Sequence, residues 1–303
     1  MGIPAIRKRK MMKISHGLEY AAVWVLTRTV QILPGRLADW MAIALGKIAY
    51  LAFVSRRRIA RNNLRLAFKD EMDETRVRIV TKEVFINVAR TSVEFARQPV
   101  LDKEKILSMI THEGKEHIDR VLGEGKGAML ISGHFGNWEL LGGWAAACGY
   151  PLDFLVGQQH NRYVDELLTS FRKSLGVGII PIGVASRHVI KSLRANRMVA
   201  VVSDQHAASG GLVVPFFGRP ASTPKGPAAF AVKIGCPIIA GGMVRKGYNR
   251  HHAIVLPPIY PPGTGDTETD IREMTLAYTA CIESLIRRHP EQWMWTHRRW
   301  KLD

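Results

Sequence analysis

The sequence predicts an α/β fold, a mainly parallel sheet flanked by helices, with a helical, membrane-associated segment at its N-terminus. One observation carries the first part. From Gly127 onward, short apolar runs at 128–132, 152–156, 179–182, 199–203 and 237–241 alternate with helical patterns. Strands alternating with helices are the pattern of a parallel sheet whose crossovers cover its faces. A second observation carries the second part. Apolar stretches at 18–33 and 37–54, joined at Pro34-Gly35, are interrupted by Glu19, Arg28, Asp39 and Lys47. No uninterrupted apolar span of about 20 residues is present, and no small-residue cleavage site marks a signal peptide. The basic clusters Arg7, Lys8, Arg9, Lys10 and Arg56, Arg57, Arg58 bracket these stretches. Helices held in an anionic leaflet fit that arrangement, since each basic residue near such a surface contributes roughly 1 kcal/mol. A core helical pair is the alternative. The division expected is residues 1–55 as anchor and 56–303 as catalytic domain.

The chain has 303 residues and is 47% hydrophobic, enough for a large core. Its 43 Lys and Arg against 26 Asp and Glu leave a net charge of +17. That excess calls for an anionic partner. Cys148, Cys236 and Cys281 form no CxxC pair, so neither a zinc site nor a disulfide framework is expected.

Residues 56–99 read as helical, and 106–121 as a further helix containing His112 and His117, whose spacing makes a poor metal pair. The helix after Asn161 has an apolar stripe at Val164, Leu167, Leu168, Phe171 and Leu175, with Asn161 as its cap. Further strands are expected at 243–245 and 253–256, and a last helix over 269–289.

The chemistry concentrates after the first strand, in Gly133-His134-Phe135-Gly136-Asn137-Trp138-Glu139. His134 and Glu139 would lie roughly 140° apart on a continuous helix. Their spacing suits a turn holding His134, followed by a helix holding Glu139. The carboxylate would then fix one ring nitrogen and leave the other as a base. Parallel strands would bring His134 and Asp204 to one rim, where ligands sit. Asp204, just past a buried strand, needs a partner, and Arg172 is the natural candidate. Arg162 has Asp165 and Glu166 close by for a local pair.

These residues resemble a known family. His134-x4-Glu139 and its filling are similar to the motif of glycerolipid-type acyltransferases, and most of all to the bacterial late acyltransferases of lipid A synthesis. Further blocks resemble the same family: Arg61-Asn62-Asn63 with Phe68, Asn161-Arg162 through Arg172, Asp204-Gln205, Phe216-Phe217-Gly218, and the tail from Pro290 to Lys301. The resemblance spans roughly residues 15–301. It implies transfer of a fatty acyl chain from an acyl carrier protein thioester to a hydroxyl of a lipid A precursor, at the cytoplasmic face of the inner membrane. His134 would be the general base, oriented by Glu139. Arg172 would bind substrate, with Asn137, Arg162, Asp204 and Gln205 as further substrate contacts. No metal and no cofactor is expected. Turn amides around Gly136 to Trp138 would receive the oxyanion.

The Phe-Gly-Asn-Trp filling also suits relatives that acylate phosphatidylinositol mannosides, so the acceptor has two candidates. The Pro-Phe-Phe-Gly turn reads either as an acyl-chain surface or as a packed loop. Interleaved Trp and Arg in the tail suit a headgroup layer or sugar phosphates. Gly-x-Ser-x-Gly, His-Glu-x-x-His and a P-loop are all absent. No nucleic-acid module appears, so no nucleic-acid partner is expected. A membrane-associated lipid-binding protein is the non-enzyme alternative.

Overall fold

A computed structural model describes residues 5–301 of the chain. The N-terminal half is helical: α1 (Ala5–Ile32), α2 (Gly35–Ala52), α3 (Val54–Phe68) and α4 (Glu74–Arg97). Then come α5 (Lys103–Ser108), β1 (Ile110–Glu113), α6 (Lys115–Gly123), β2 (Ala128–Ser132), α7 (Trp138–Ala147) and β3 (Leu152–Val156). They are followed by α8 (Arg162–Ser174), β4 (Gly178–Pro181), α9 (Ala185–Arg194) and β5 (Met198–Val202). The rest is β6 (Gly211–Phe216), β7 (Arg219–Pro224), α10 (Gly226–Ile234), β8 (Ile238–Gly247), β9 (Arg250–Val255) and α11 (Thr267–Arg288).

Seven strands form one sheet in the order β1-β9-β8-β2-β5-β3-β4. Every neighbour pair is parallel except β8 with β9. β2 lies inside this sheet, and all five of its residues are buried, which suits a strand covered on both faces. β2 and β5 run side by side with Ser132 opposite Val202. Their carboxyl ends therefore present His134 and Asp204 together, each two residues past that pair.

The five strands expected from 128 to 241 are present, and the expected run at 237–241 extends through 243–245 as the single long β8. The helix expected over 106–121 is instead split into α5, β1 and α6. Gly114 breaks it: its φ is +74°, and a Cβ there would stand 1.9 Å from the Val255 carbonyl oxygen. Backbone at that angle and that close to β9 requires glycine.

α1 and α2 pack on α4 through Val30, Ala38, Ala42 and Val93. Arg90 pairs with Asp39 at 2.6 Å, and Arg97 donates to the Val30 and Leu33 carbonyls at the end of α1. The other side of this helical pair is open. Ile32 is 83% exposed, Trp40 73% and Leu51 68%. Among the described residues no single helix is long and apolar enough to cross a membrane; α2 and the helical segment after it bend by 91°. The side chains of the first basic cluster, Arg7, Lys8, Arg9 and Lys10, lie outside the described residues.

Candidate active site

The turn between β2 and α7 is held from behind by backbone and buried side chains. Gly136 has φ +57°, and a Cβ there would sit 1.7 Å from the Met243 carbonyl oxygen. Its amide donates to the Gln292 carbonyl at 2.8 Å, and the Asn137 amide donates to the Met243 carbonyl at 3.0 Å. Thr91 Oγ1 donates to the Gly136 carbonyl at 2.7 Å. The Asn137 side chain is fully buried; its Oδ1 accepts from the Leu140 amide, and its Nδ2 donates to Glu94. Glu94 in turn receives Arg245 at 2.5 Å, and Arg245 also donates to Asn87 and Thr91. Asn137, Glu94, Arg245 and Thr91 thus all have partners, as burial requires.

That frame aims His134. Its Nδ1 is 2.8 Å from Asp204 Oδ1, and its main-chain amide donates to Asp204 Oδ2 at 2.7 Å. Trp293 Nε1 donates to the same Oδ2 at 2.6 Å. An ionised carboxylate only accepts, so Nδ1 carries a proton and Nε2 is the free base of the neutral ring. Burial depresses the imidazole pKa, but the Asp204 charge, the hydrogen bond to Asp204 and the Glu139 charge outweigh it and leave the pKa raised above 6.5. Burial pushes Asp204 upward, but the charge and hydrogen bonds of His134, with that of Trp293, bring it below 3.8.

Here the structure corrects the expected pairings. Glu139 does not hold the imidazole. It receives Arg172 through two parallel bonds, Nη2 to Oε1 at 2.6 Å and Nε to Oε2 at 3.0 Å. This guanidinium also lies over the Phe95 ring, 5.3 Å from its centroid. Arg172 is therefore not the partner of Asp204. A bidentate fork matches a carboxylate better than an imidazole does, and the parallel register of β2 and β5 brings Asp204 to the ring.

His134, Glu139, Arg172 and Gln205 line one cavity of about 410 Å³, whose other walls include Leu130, Phe154, Val156 and Ala200. His134 meets it with a side chain 24% exposed. A larger apolar groove of about 810 Å³, walled by α1, α2, α4 and α8, touches the same Glu139 and Arg172. The ion pair thus stands between the two spaces.

Other expected contacts lie elsewhere. Asn137 faces away from this cavity, capping α7. Arg162 is 84% exposed and pairs with Glu166 at 2.7 Å on the surface of α8. The Gly136 and Asn137 amides are already bonded to protein. At the start of α7, Leu140 is capped by Asn137 Oδ1 and Leu141 by the Asn137 carbonyl. Trp138 and Glu139 are left as the first-turn amides without an intrahelical acceptor.

The Phe216-Phe217 turn is a packed loop rather than an acyl surface. Phe217 is 3% exposed and has φ 52°, costly for a residue with a Cβ. Its ring is held by Phe68, Trp295, Trp300 and Arg287. Much of the tail is likewise interior: Trp293, Trp295 and Arg299 are at most 2% exposed. Arg299 donates to the Ser222 carbonyl and to Thr223 Oγ1, both at 2.6 Å. Sequence reasoning missed Trp293 as a donor to Asp204, and Glu94 with Arg245 behind the turn. The placement of Asp204 at the His134 rim was the one available signal for a His–Asp pair.

An imidazole backed by a buried carboxylate, at the edge of an apolar cavity, is the equipment of a hydroxyl-activating general base. The chain belongs to the bacterial lipid A biosynthesis acyltransferase family, whose model matches residues 6–302. It is similar, at 25% identity over 216 residues, to a phosphatidylinositol mannoside acyltransferase of Mycobacterium tuberculosis. That alignment takes in 69% of this chain and 66% of the relative, just under two thirds of the relative's length. Two Escherichia coli K12 proteins align more fully. The lipid A biosynthesis palmitoleoyltransferase is 25% identical over 97% of this chain and 94% of its own. The lipid A biosynthesis lauroyltransferase is 28% identical over 94% and 91%. Among solved structures, the 1-acyl-sn-glycerophosphate acyltransferase PlsC of Thermotoga maritima gives a TM-score of 0.37 at 15% identity, covering 79% of this chain and 98% of that one.

Proposed function

We propose that this chain transfers a fatty acyl group from an acyl carrier protein thioester to a hydroxyl of a lipid A precursor, at the cytoplasmic face of the inner membrane. The observation that carries the reaction is His134, with Nδ1 bonded to buried Asp204 and the ring at a largely apolar cavity. Nε2 takes the proton of the acceptor hydroxyl as its oxygen attacks the thioester carbonyl. The oxyanion so formed is received by donors at the start of α7, where the Trp138 and Glu139 amides are unspent and the helix dipole is favourable. Collapse breaks the carbon–sulfur bond, and the imidazolium returns its proton to the departing thiolate. Asp204 stabilises the imidazolium in between, as the acid of a catalytic triad does. Arg172, fixed by Glu139, and Gln205 contact substrate.

The acyl chain needs an apolar enclosure, and the cavity beside His134 offers one. The membrane reading rests on the open apolar side of α1 and α2 and the adjoining Arg56, Arg57 and Arg58. A second acceptor is kept because the M. tuberculosis relative is a phosphatidylinositol mannoside acyltransferase.

One assay tests the reading: purified protein, a panel of acyl carrier protein thioesters, and lipid A precursor or mannolipid acceptors, followed by mass spectrometry. Transfer to the lipid A precursor is the expected result. Transfer to the mannolipid alone selects the second acceptor, and transfer to neither overturns the substrate assignment.

A further inference from the structure

The cavity holding His134 opens where its lining residues are exposed, at Gly157, Gln158, Gln159 and Ile182. Ile182 is 57% exposed and begins the short turn that leads directly into α9. Helix geometry puts Arg187 only about 8–10 Å along the chain axis from that mouth. Arg187, Lys191 and Arg194 follow at helical spacing, so they share one side of α9, and all three are exposed. The opposite side, with Val189, Ser192 and Leu193, is buried.

α9 contains no carboxylate. Asp153, which reaches it from β3, is spent on Arg197 and Ser192. No ion pair among the described residues involves the three outward cations. Some surface cations are answered locally, as Lys115 is by Asp119 and Arg162 by Glu166, whereas α9 offers these three no carboxylate of its own. Half-buried Ile190 and the exposed Ala195 just past the helix lie beside these cations. A bilayer would want several exposed apolar anchors; beyond Ile182 at the mouth, most of the large exposed apolar residues sit on α1 and α2, which pack on α4 and α8. Three cations on one side of a helix that carries no carboxylate, next to the mouth, suit an acidic protein surface.

We propose that the outer side of α9, through Arg187, Lys191 and Arg194, is the docking surface for the acidic acyl carrier protein, whose tethered thioester then enters the cavity past Ile182. This rests on the carrier-thioester donor proposed above. The carrier is steered by opposite charge, and the reacting carbonyl reaches His134 without the protein body entering the cleft.

The test is steady-state kinetics of the full chain and the triple variant Arg187→Glu/Lys191→Glu/Arg194→Glu. Each is assayed with the same acyl chain on the carrier protein and on free pantetheine. The variant is expected to raise KM for the carrier thioester about 10-fold or more and to flatten its salt dependence. Turnover of the pantetheine thioester stays unchanged. An unchanged carrier KM in the variant overturns the docking surface alone. Equal loss with both donors also overturns it, by placing the damage in the cleft. Loss of binding to vesicles containing anionic phospholipid, with the carrier KM unchanged, reassigns the strip to lipid. If the wild-type chain uses pantetheine thioesters but not the carrier, the donor reading fails first, and the docking surface falls with it.

Discussion

Asp204, at the end of β5, and Glu139, in the first turn of α7, are both buried carboxylates beside one imidazole, yet they hold different kinds of partner. Asp204 holds an imidazole, a group that can gain and lose a proton, and raises its pKa. Glu139 holds a guanidinium that stays charged at any working pH. In the proposed reaction the first pair takes part in proton transfer. The second is a fixed charge pair that shapes the cavity wall and adds negative potential at His134. Sequence spacing points to Glu139 as the orienting acid, and the three-dimensional register gives that position to Asp204. The comparison makes separate predictions for the two sites.

The largest effect is expected from His134→Ala, which removes the proposed base altogether. Transfer should fall by roughly 10³–10⁴-fold, while circular dichroism and thermal unfolding show a folded chain. Retained lipid binding with unchanged cellular function would favour the non-enzyme alternative. Asp204→Asn comes next, with loss on the order of 10²–10⁴-fold. It also carries a signed pH effect. Asp204 holds the His134 pKa above 6.5, so the acid limb of kcat/KM should move to lower pH in the variant. A limb that stays in place would break the assignment of Asp204.

The same pair sets a pH dependence of stability. His134, raised in the fold, contributes fully below its ordinary value and loses that contribution as pH rises through the raised one. Asp204, lowered in the fold, contributes fully above its ordinary value and loses it as pH falls through the lowered one. Both contributions are complete between 3.8 and 6.5, the ordinary values of the two groups. Chemical denaturation of the wild-type chain and Asp204→Asn across pH should differ most in that window.

Glu139→Gln breaks the other pair. It leaves Arg172 buried without its anion, so the expected cost is about 3–5 kcal/mol of stability, read as a lowered denaturation midpoint. The double variant Glu139→Gln/Arg172→Met should recover much of that loss, because the stranded charge is gone. A double variant no more stable than the single would argue against the ion pair as the source of the cost. The acid limb of the pH profile should move less for Glu139→Gln than for Asp204→Asn, since Glu139 acts on the ring only through its charge. The smallest effect belongs to Trp293→Phe, which removes one of the three hydrogen bonds to Asp204. A loss of about 1–2 kcal/mol is expected, shown as a kcat reduction of about 10-fold with little change in KM.

Several corrections share one physical origin. The tail and the Phe216-Phe217 turn look like surface chemistry because Trp, Phe and Arg occur together. Folded, they bury one another: Trp293 and Trp295 stand 4.5 Å apart, and Arg299 lies over the Phe216 ring. A linear motif does not say whether an Arg-Trp run meets water or a second aromatic layer. Asn137 is similar. Its place in the motif marks it as important, but its two hydrogen-bonding ends are used by Leu140 and Glu94, behind the turn.

What the residues alone determined is the part governed by local chemistry and period. Apolar runs and helical stripes located β2, β3, β4, β5 and most helices, Asn161 capped α8, and glycines placed the turn that carries His134. The parallel character of the sheet followed from alternation, and it put His134 and Asp204 on one rim. What only the tertiary structure decided is which charge meets which. A salt bridge or a His–Asp bond depends on a few ångströms between groups 33 to 70 residues apart in sequence. That distance is set by strand register, by the buried network around Glu94 and Arg245, and by the tail that returns to deliver Trp293, and no local pattern encodes their sum.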